Sequence, residues 1–254
     1  TLLNNEHKIS DYNKKIISAV NEKGIKFILS TGRPTSAATK FLEDLNIETD
    51  MISFNGAMIT DRKGNILYED NLESHIGKEL IEIAKKYKVY YQGFLGERWN
   101  LSDSKSKWLD FYISIAKINN YKLGFDNIKD FSFSKFMFIG ENHILKEIAK
   151  EIDKKLKDKV YYTFSRPVYL EVHSPKVSKA NALSFLLKKY NIERENIMAF
   201  GDNNNDIEML ELAKISVAVE NAESIVKEKA KYITKSNIEN GVGYFINEYF
   251  NLGL

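Results

Sequence analysis

The stretch Ile197-Met198-Ala199-Phe200-Gly201-Asp202-Asn203-Asn204-Asn205-Asp206 decides the fold. Its first four residues are apolar and read as a buried strand. A polar turn follows with no spacer, and Asp206–Leu212 reads as a helix. A buried strand that passes through a turn into a helix is the repeating step of a parallel sheet covered on both faces. In such sheets ligands bind just beyond the carboxyl ends of the strands, so this turn sits where chemistry is expected.

Working outward, the same rhythm recurs on both sides. A helix is expected from Ser10 as N-cap through Ile16, Ile17 and Val20, with Gly24 at its end. Lys26–Ser30 reads as a strand, Thr35–Leu45 as a helix and Met51–Phe54 as a second buried strand. Further on, Ser178 opens a helix through Leu183, Leu186 and Leu187, and Ile215–Val219 and Tyr232–Thr234 read as strands. Between Leu72 and about Ser174 the texture changes. Helical stretches at His75–Tyr87 and Ile144–Leu156 alternate with aromatic runs such as Phe136-Met137-Phe138-Ile139 and Val168-Tyr169-Leu170-Glu171-Val172. The expectation is an α/β fold: a doubly wound parallel, Rossmann-like core formed by residues 1–71 and 178–254, interrupted by an inserted α+β cap domain at 72–177.

Composition narrows the function classes. The 37 basic residues nearly match the 35 acidic ones, which argues against nucleic acid or a membrane surface as partner. There is no Cys, so disulfides, thiolate metal sites and a Cys nucleophile are excluded, and a reducing cytoplasm is the compartment that fits. No apolar run reaches the ~18–20 residues that span a bilayer.

Three segments fall at the carboxyl ends of expected strands. In the first, Asp202 leaves its strand able to point an oxygen at a hard cation. Magnesium takes about six oxygen ligands, typically one or two of them protein carboxylates. A helix N-cap accounts for one acidic residue, and the role of Asp206 stays open between capping and the metal. It does not account for the whole polar turn, so Asp202 is read as a magnesium ligand. In the second segment Lys179 follows the N-cap candidate Ser178. A cation in the first turn of a helix opposes the macrodipole, at about 0.3–1 kcal/mol where exposed, so its place beside an anion site favours a charge role over a solvated one. In the third, the hydroxyl of Thr31 and the amides around Gly32 suit phosphate oxygens, and Arg33 offers a planar fork.

Taken in order, Ser30-Thr31-Gly32-Arg33-Pro34, Ser53-Phe54-Asn55-Gly56-Ala57, Val177-Ser178-Lys179-Ala180 and Gly201–Asp206 resemble the motifs of haloacid dehalogenase (HAD) superfamily phosphatases. The closest group is the Cof-type sugar-phosphate phosphatases, with a class IIB cap, and the resemblance runs along essentially the whole chain. It implies that Thr31 hydrogen-bonds the transferring phosphoryl group and that Lys179 stabilises its charge. Asp202 would ligate Mg2+, Asn205 would contact phosphate, and Asp206 would brace the metal shell or Lys179. Gly32, Arg33 and Asn55 join the phosphate and substrate set. The family's nucleophile and its general acid are two aspartates in an Asp-x-Asp-Gly-Thr motif, whose tail Thr1-Leu2-Leu3-Asn4 matches. Both aspartates are expected just upstream of Thr1, within about ten residues that also form a central strand.

The resemblance further implies a small phosphorylated metabolite as partner and a monomer or weak homodimer. Tyr91, Trp99, Trp108 and Tyr169 either face a sugar ring or pack the cap, and packing is the commoner fate. Glu171 is read either as a contact to a substrate hydroxyl or as a solvated strand residue. The four histidines show no ligand spacing and receive no role. A phosphomutase would need cap arginines for a second phosphate, and Arg98 and Arg166 are the only two between Leu72 and Ser174. A non-catalytic phosphate binder is the reading if the upstream aspartates do not exist.

Overall fold

The computed structural model of the chain describes residues 1–254. In chain order the elements are α1 (Asp11–Glu22), β1 (Leu29–Ser30), α2 (Thr35–Leu45), β2 (Met51–Ser53), β3 (Met58–Thr60), β4 (Ile66–Glu69), α3 (Ser74–Tyr87), β5 (Tyr90–Leu95), β6 (Arg98–Leu101), α4 (Lys107–Ala116) and β7 (Tyr121–Leu123). Then come β8 (Lys135–Ile139), α5 (Asn142–Lys155), β9 (Tyr161–Arg166), β10 (Tyr169–His173), α6 (Lys179–Tyr190), β11 (Met198–Gly201), α7 (Ile207–Leu212), β12 (Ile215–Val219), α8 (Ser224–Lys229), β13 (Tyr232–Thr234) and α9 (Gly241–Phe250).

Helix starts follow local chemistry. Ser10 accepts a hydrogen bond from the Asn13 amide and opens α1, and Ser178 does the same for α6 through Asn181. Both satisfy an amide that the helix itself leaves without a partner. Asn46, Lys88 and Asn191 end α2, α3 and α6 in the left-handed conformation.

The strands form three sheets. One runs β1-β2-β3-β4, with β1 and β2 parallel and β3 and β4 returning as antiparallel strands. A second, β11-β12-β13, is wholly parallel. The third, β7-β6-β5-β8-β10-β9, is antiparallel except for β6 with β7. The strand expected over Lys26–Ser30 is shorter than its apolar pattern, because only Leu29 and Ser30 find a partner in β2.

Each sheet is covered where its residues are apolar. Ile52 and Ile59 of the first sheet and Ala218 and Val219 of the second share one core with α1, α6, α7 and α9. The six-stranded sheet packs α3 and α5 on one face through Leu80, Ile83, Ile148 and Phe136. Its other face holds Trp99, Tyr112, Met137 and Tyr169 with α4. Trp99 and Tyr169 are therefore core residues of this layer, and Tyr91 stacks on Phe125 and Phe136. The strand–helix alternation has a direct consequence for chemistry: β1 and β11, end strands of their sheets, both point their carboxyl ends at one cleft.

Candidate active site

That cleft encloses about 1060 Å³ and is lined by Thr31, Gly32 and Arg33 after β1, by Lys179 at the start of α6, and by Asp202, Asn205 and Asp206 after β11. Seven of the eight residues singled out from the sequence thus share one concavity. The eighth, Asn55, joins them by hydrogen bonding, since Asn205 Nδ2 donates to Asn55 Oδ1 at 2.9 Å.

The polar turn after β11 is held from within. Asn203 and Asp206 form a reciprocal capping box, and Asp206 Oδ2 accepts from the amides of Asp202 at 2.9 Å and Asn203 at 3.1 Å. Its other oxygen accepts from Lys179 Nζ at 2.6 Å. Asp206 is 3% exposed and Lys179 7%, so the solvated-lysine reading does not hold. Burial alone would raise the Asp206 carboxyl, but Lys179 and the two amides hold it below its ordinary value. Asp206 therefore closes a capping box with one oxygen and holds Lys179 with the other.

Asp202 is better placed for a ligand. Its Oδ1 lies 3.0 Å from the Thr1 nitrogen and also meets the Thr1 hydroxyl, while Oδ2 accepts from Asn203 Nδ2 at 2.8 Å. No three acidic or histidine side chains gather into a ready-made metal cage. Three residues further along the same turn, Asn205 Oδ1 is buried with no hydrogen-bond partner. A carboxylate and an orphaned acceptor oxygen on one turn suit a hard cation or its water, and one or two protein carboxylates are the usual share for magnesium. The residues present therefore fit part of such a shell.

The Thr31 turn is also pre-formed. Thr31 Oγ1 accepts from the Arg33 amide at 3.1 Å, which leaves its own O–H free to donate. Arg33 Nη1 reaches the carbonyls of Ile115 and Ala116 at 3.4 and 3.5 Å, at the carboxyl end of α4. Burial lowers its affinity for the proton. Gly32 has a steric reason: a Cβ there would lie 2.5 Å from Asn55 Oδ1. Gly56 is required twice over, by its φ of +106° and by the Ser178 carbonyl, which would stand 2.2 Å from a Cβ.

Three further residues border this site: Lys135, which the sequence did not single out, His173, which received no role, and Glu171, for which two readings stood open. Lys135, Glu171 and His173 are all buried against Asn55 and Gly32, so Glu171 is not a solvated strand residue. The signal was present as charged or titratable residues inside otherwise apolar strands, at the start of Lys135–Ile139 and within Tyr169–His173.

Comparison with known proteins fits this geometry. The family model described as haloacid dehalogenase-like hydrolase matches residues 1–246. The chain belongs to the haloacid dehalogenase-like hydrolase family. It is 32% identical to 5-amino-6-(5-phospho-D-ribitylamino)uracil phosphatase YcsE of Bacillus subtilis (strain 168), over 98% of this chain and 92% of that protein. Putative phosphatase YxeH of the same organism is 30% identical, over 98% and 94%. Among solved structures, a haloacid dehalogenase-like hydrolase from Bacteroides thetaiotaomicron superposes with a TM-score of 0.90 at 28% identity, covering 98% of this chain and 96% of that one. Those structures share the Rossmann-like core with its cap, and the HAD fold expected from the sequence is the fold of this chain.

Proposed function

We propose that the protein is a magnesium-dependent phosphomonoester hydrolase acting on small phosphorylated metabolites, most specifically sugar or sugar-alcohol phosphates. The observation that carries this reading is the buried Lys179–Asp206 pair, set beside Asp202 and Asn205 on a cleft that Thr31 also lines. A positive charge fixed by a carboxylate, a partly exposed carboxylate and a free hydroxyl donor together form a site for a dianion and a cation.

The residue roles follow from what each atom has free. Thr31 donates its hydroxyl to a phosphoryl oxygen. Lys179 neutralises charge on the transferring group, and Asp206 holds Lys179 and the Asp202 turn in register. Asp202 with Asn205 would hold Mg2+, which when bound supplies charge neutralisation at the phosphoryl oxygens. Asn205 has a second N–H for phosphate beyond the one given to Asn55. Attack on phosphorus would fall to the first of the two aspartates expected N-terminal to Thr1, breaking the ester P–O bond to give an aspartyl-phosphate. The second would protonate the departing alcohol and then activate the water that hydrolyses the intermediate.

We further read residues 1–71 and 178–254 as the core and 72–177 as the cap, supported by the separate six-stranded sheet within Tyr90–His173. The cap would exclude water and read the leaving group. A phosphorylated ribityl chain, as in the name of the Bacillus relative, is a leaving group of the proposed class. Arg98 and Arg166 are the only arginines between Leu72 and Ser174, which supports hydrolysis over a mutase with a second phosphate clamp. No helix is long and apolar enough to cross a membrane, and a cytoplasmic monomer or weak homodimer is the form we propose. The test is a panel of sugar, polyol and nucleoside monophosphates assayed for phosphate release with and without MgCl2. Magnesium-dependent release from sugar or polyol phosphates is expected, and no release from any ester would sink the reading.

A further inference from the structure

Three titratable side chains are buried together where the cap meets the loops of the site. Lys135 comes from β8, and Glu171 and His173 from the adjacent antiparallel β10, at 4%, 6% and 0% exposure. Lys135 Nζ stands 2.7 Å from Glu171 Oε2, and His173 Nε2 stands 3.7 Å from the same oxygen. Ser165 donates to Glu171 Oε1 at 2.6 Å. His173 Nδ1 faces the Ser134 carbonyl at 3.1 Å, which assigns the proton to Nδ1 and turns Nε2 toward Asn55.

Stability is a poor reason for this arrangement. Taking an ion pair out of water costs about what its attraction returns, and apolar residues of similar volume are often as stable or more so. What the charges touch is more informative. Lys135 Nζ donates to the Gly32 carbonyl at 3.4 Å, within the Thr31–Pro34 turn. Glu171 Oε2 accepts from Asn55 Nδ2 at 3.4 Å, and the other end of that amide accepts from Asn205. Asn55 sits at φ +60° directly after Phe54 at +50°, so two successive non-glycine residues occupy the left-handed region. Such backbone persists only where the surroundings over-determine it.

We propose that Glu171, held by Lys135, is a positioning residue for the phosphate site, acting through Asn55 on Asn205 while Lys135 fixes the turn that carries Thr31. The inference deepens the phosphatase reading and rests on it. A charged acceptor on one side of the Asn55 amide orients its oxygen toward Asn205 on the other. Without that charge the amide is free to flip or rotate, and the two loops lose their common reference. The triad lies on the cap and both loops on the core, so one buried cluster sets the geometry between them.

The test combines turnover with a readout that needs none. In the double variant Lys135→Met/Glu171→Met the melting temperature is expected to stay near wild type. Its kcat should fall about ten- to a hundredfold, as misplacement on the scale of an ångström produces, with KM moving far less. An unchanged kcat would overturn the proposal. Because the double variant depends on clean folding, Glu171→Gln and Asn55→Ala are also combined in a cycle. Glu171→Gln should lower kcat in the wild-type background and have little further effect beside Asn55→Ala; additive losses would overturn action through Asn55. The side-chain amide signals of Asn55 in 15N NMR should shift in Glu171→Gln, and unchanged signals overturn the proposal whatever the activity. A wild-type protein that releases no phosphate from any ester, with the NMR shift present, overturns the phosphatase reading and leaves the positioning of Asn55 by Glu171 standing.

Discussion

Glu97 caps helix α2 at Thr35 from the far side of the cap–core seam. Both its oxygens are used, Oε1 accepting from the Thr35 amide and Oε2 from the Ser36 amide, each at 3.0 Å. Helix α2 begins after Pro34 and has no side-chain cap of its own, so two of its unpaired amides depend on a carboxylate at the turn of the β5–β6 hairpin. Replacing Glu97 by Ala is expected to cost about 0.5–2 kcal/mol, the usual range for losing an N-cap. Amide exchange should accelerate at Thr35 and Ser36 above all others. Uniform acceleration along α2 would mean the carboxylate is not the cap that matters.

The Lys179–Asp206 pair makes a larger prediction. Removing one partner of a buried pair leaves the other charge without compensation, at about 3–5 kcal/mol. Lys179→Ala should therefore lower both stability, read from urea unfolding, and phosphate release. A variant with wild-type unfolding would show that Asp206 is compensated by its two backbone donors alone.

Asp202 separates stability from metal binding. In the wild type, MgCl2 should raise the unfolding midpoint, by about 2.7 kcal/mol at a hundredfold excess over the dissociation constant. In Asp202→Ala that increment should vanish, and stability without magnesium should change little because the side chain is partly exposed. An undiminished magnesium response in the variant would move the cation elsewhere.

The glycines of the site give a steric prediction. Gly32→Ala would press Asn55 Oδ1, the flexible end of a side chain, and should fold while losing activity as Asn55 moves away from Asn205. Gly56→Ala meets the Ser178 backbone carbonyl and a positive φ together, so it should unfold the protein or lower its midpoint severely. Thermal melts and turnover of the two variants check this; equal effects on stability would contradict it.

How much of this was legible beforehand differs by element. The strand Ile215–Val219 and the helix Thr35–Leu45 have the bounds read from apolar periodicity and breakers, because local pattern and packing agree there. The site residues on the Thr31 turn, Lys179 and the Asp202 turn were legible because strand ends in an open parallel sheet converge. Burial of Lys179 was not, since it depends on Asp206 lying 27 positions away in sequence. The Lys135–Glu171–His173 cluster was hidden for the same reason: its partners come from β8, β10 and the core loop at Asn55. Arg33 illustrates the converse, a residue whose local context named an anion while its reach extended to the end of α4.

Tyr169 yields the alkaline prediction. Burial pushes its hydroxyl up to about 12, with Arg166 opposing and Glu171 adding to the shift, and Tyr112 and Tyr90 are also raised above their ordinary value of 10.0. These phenols stay neutral in the fold and ionise more readily when unfolded. The stability they contribute is therefore complete below about pH 10 and is lost as pH rises through the folded values. Tyrosinate absorbance should lag behind that of the denatured chain above pH 10 and then rise together with loss of secondary structure. The Tyr169 hydroxyl is buried and has no hydrogen-bond partner. Tyr169→Phe should for that reason be neutral or stabilising at pH 7, by up to about 1 kcal/mol, and should extend the folded range upward. Destabilisation by more than that at pH 7 would show that the hydroxyl is satisfied in solution.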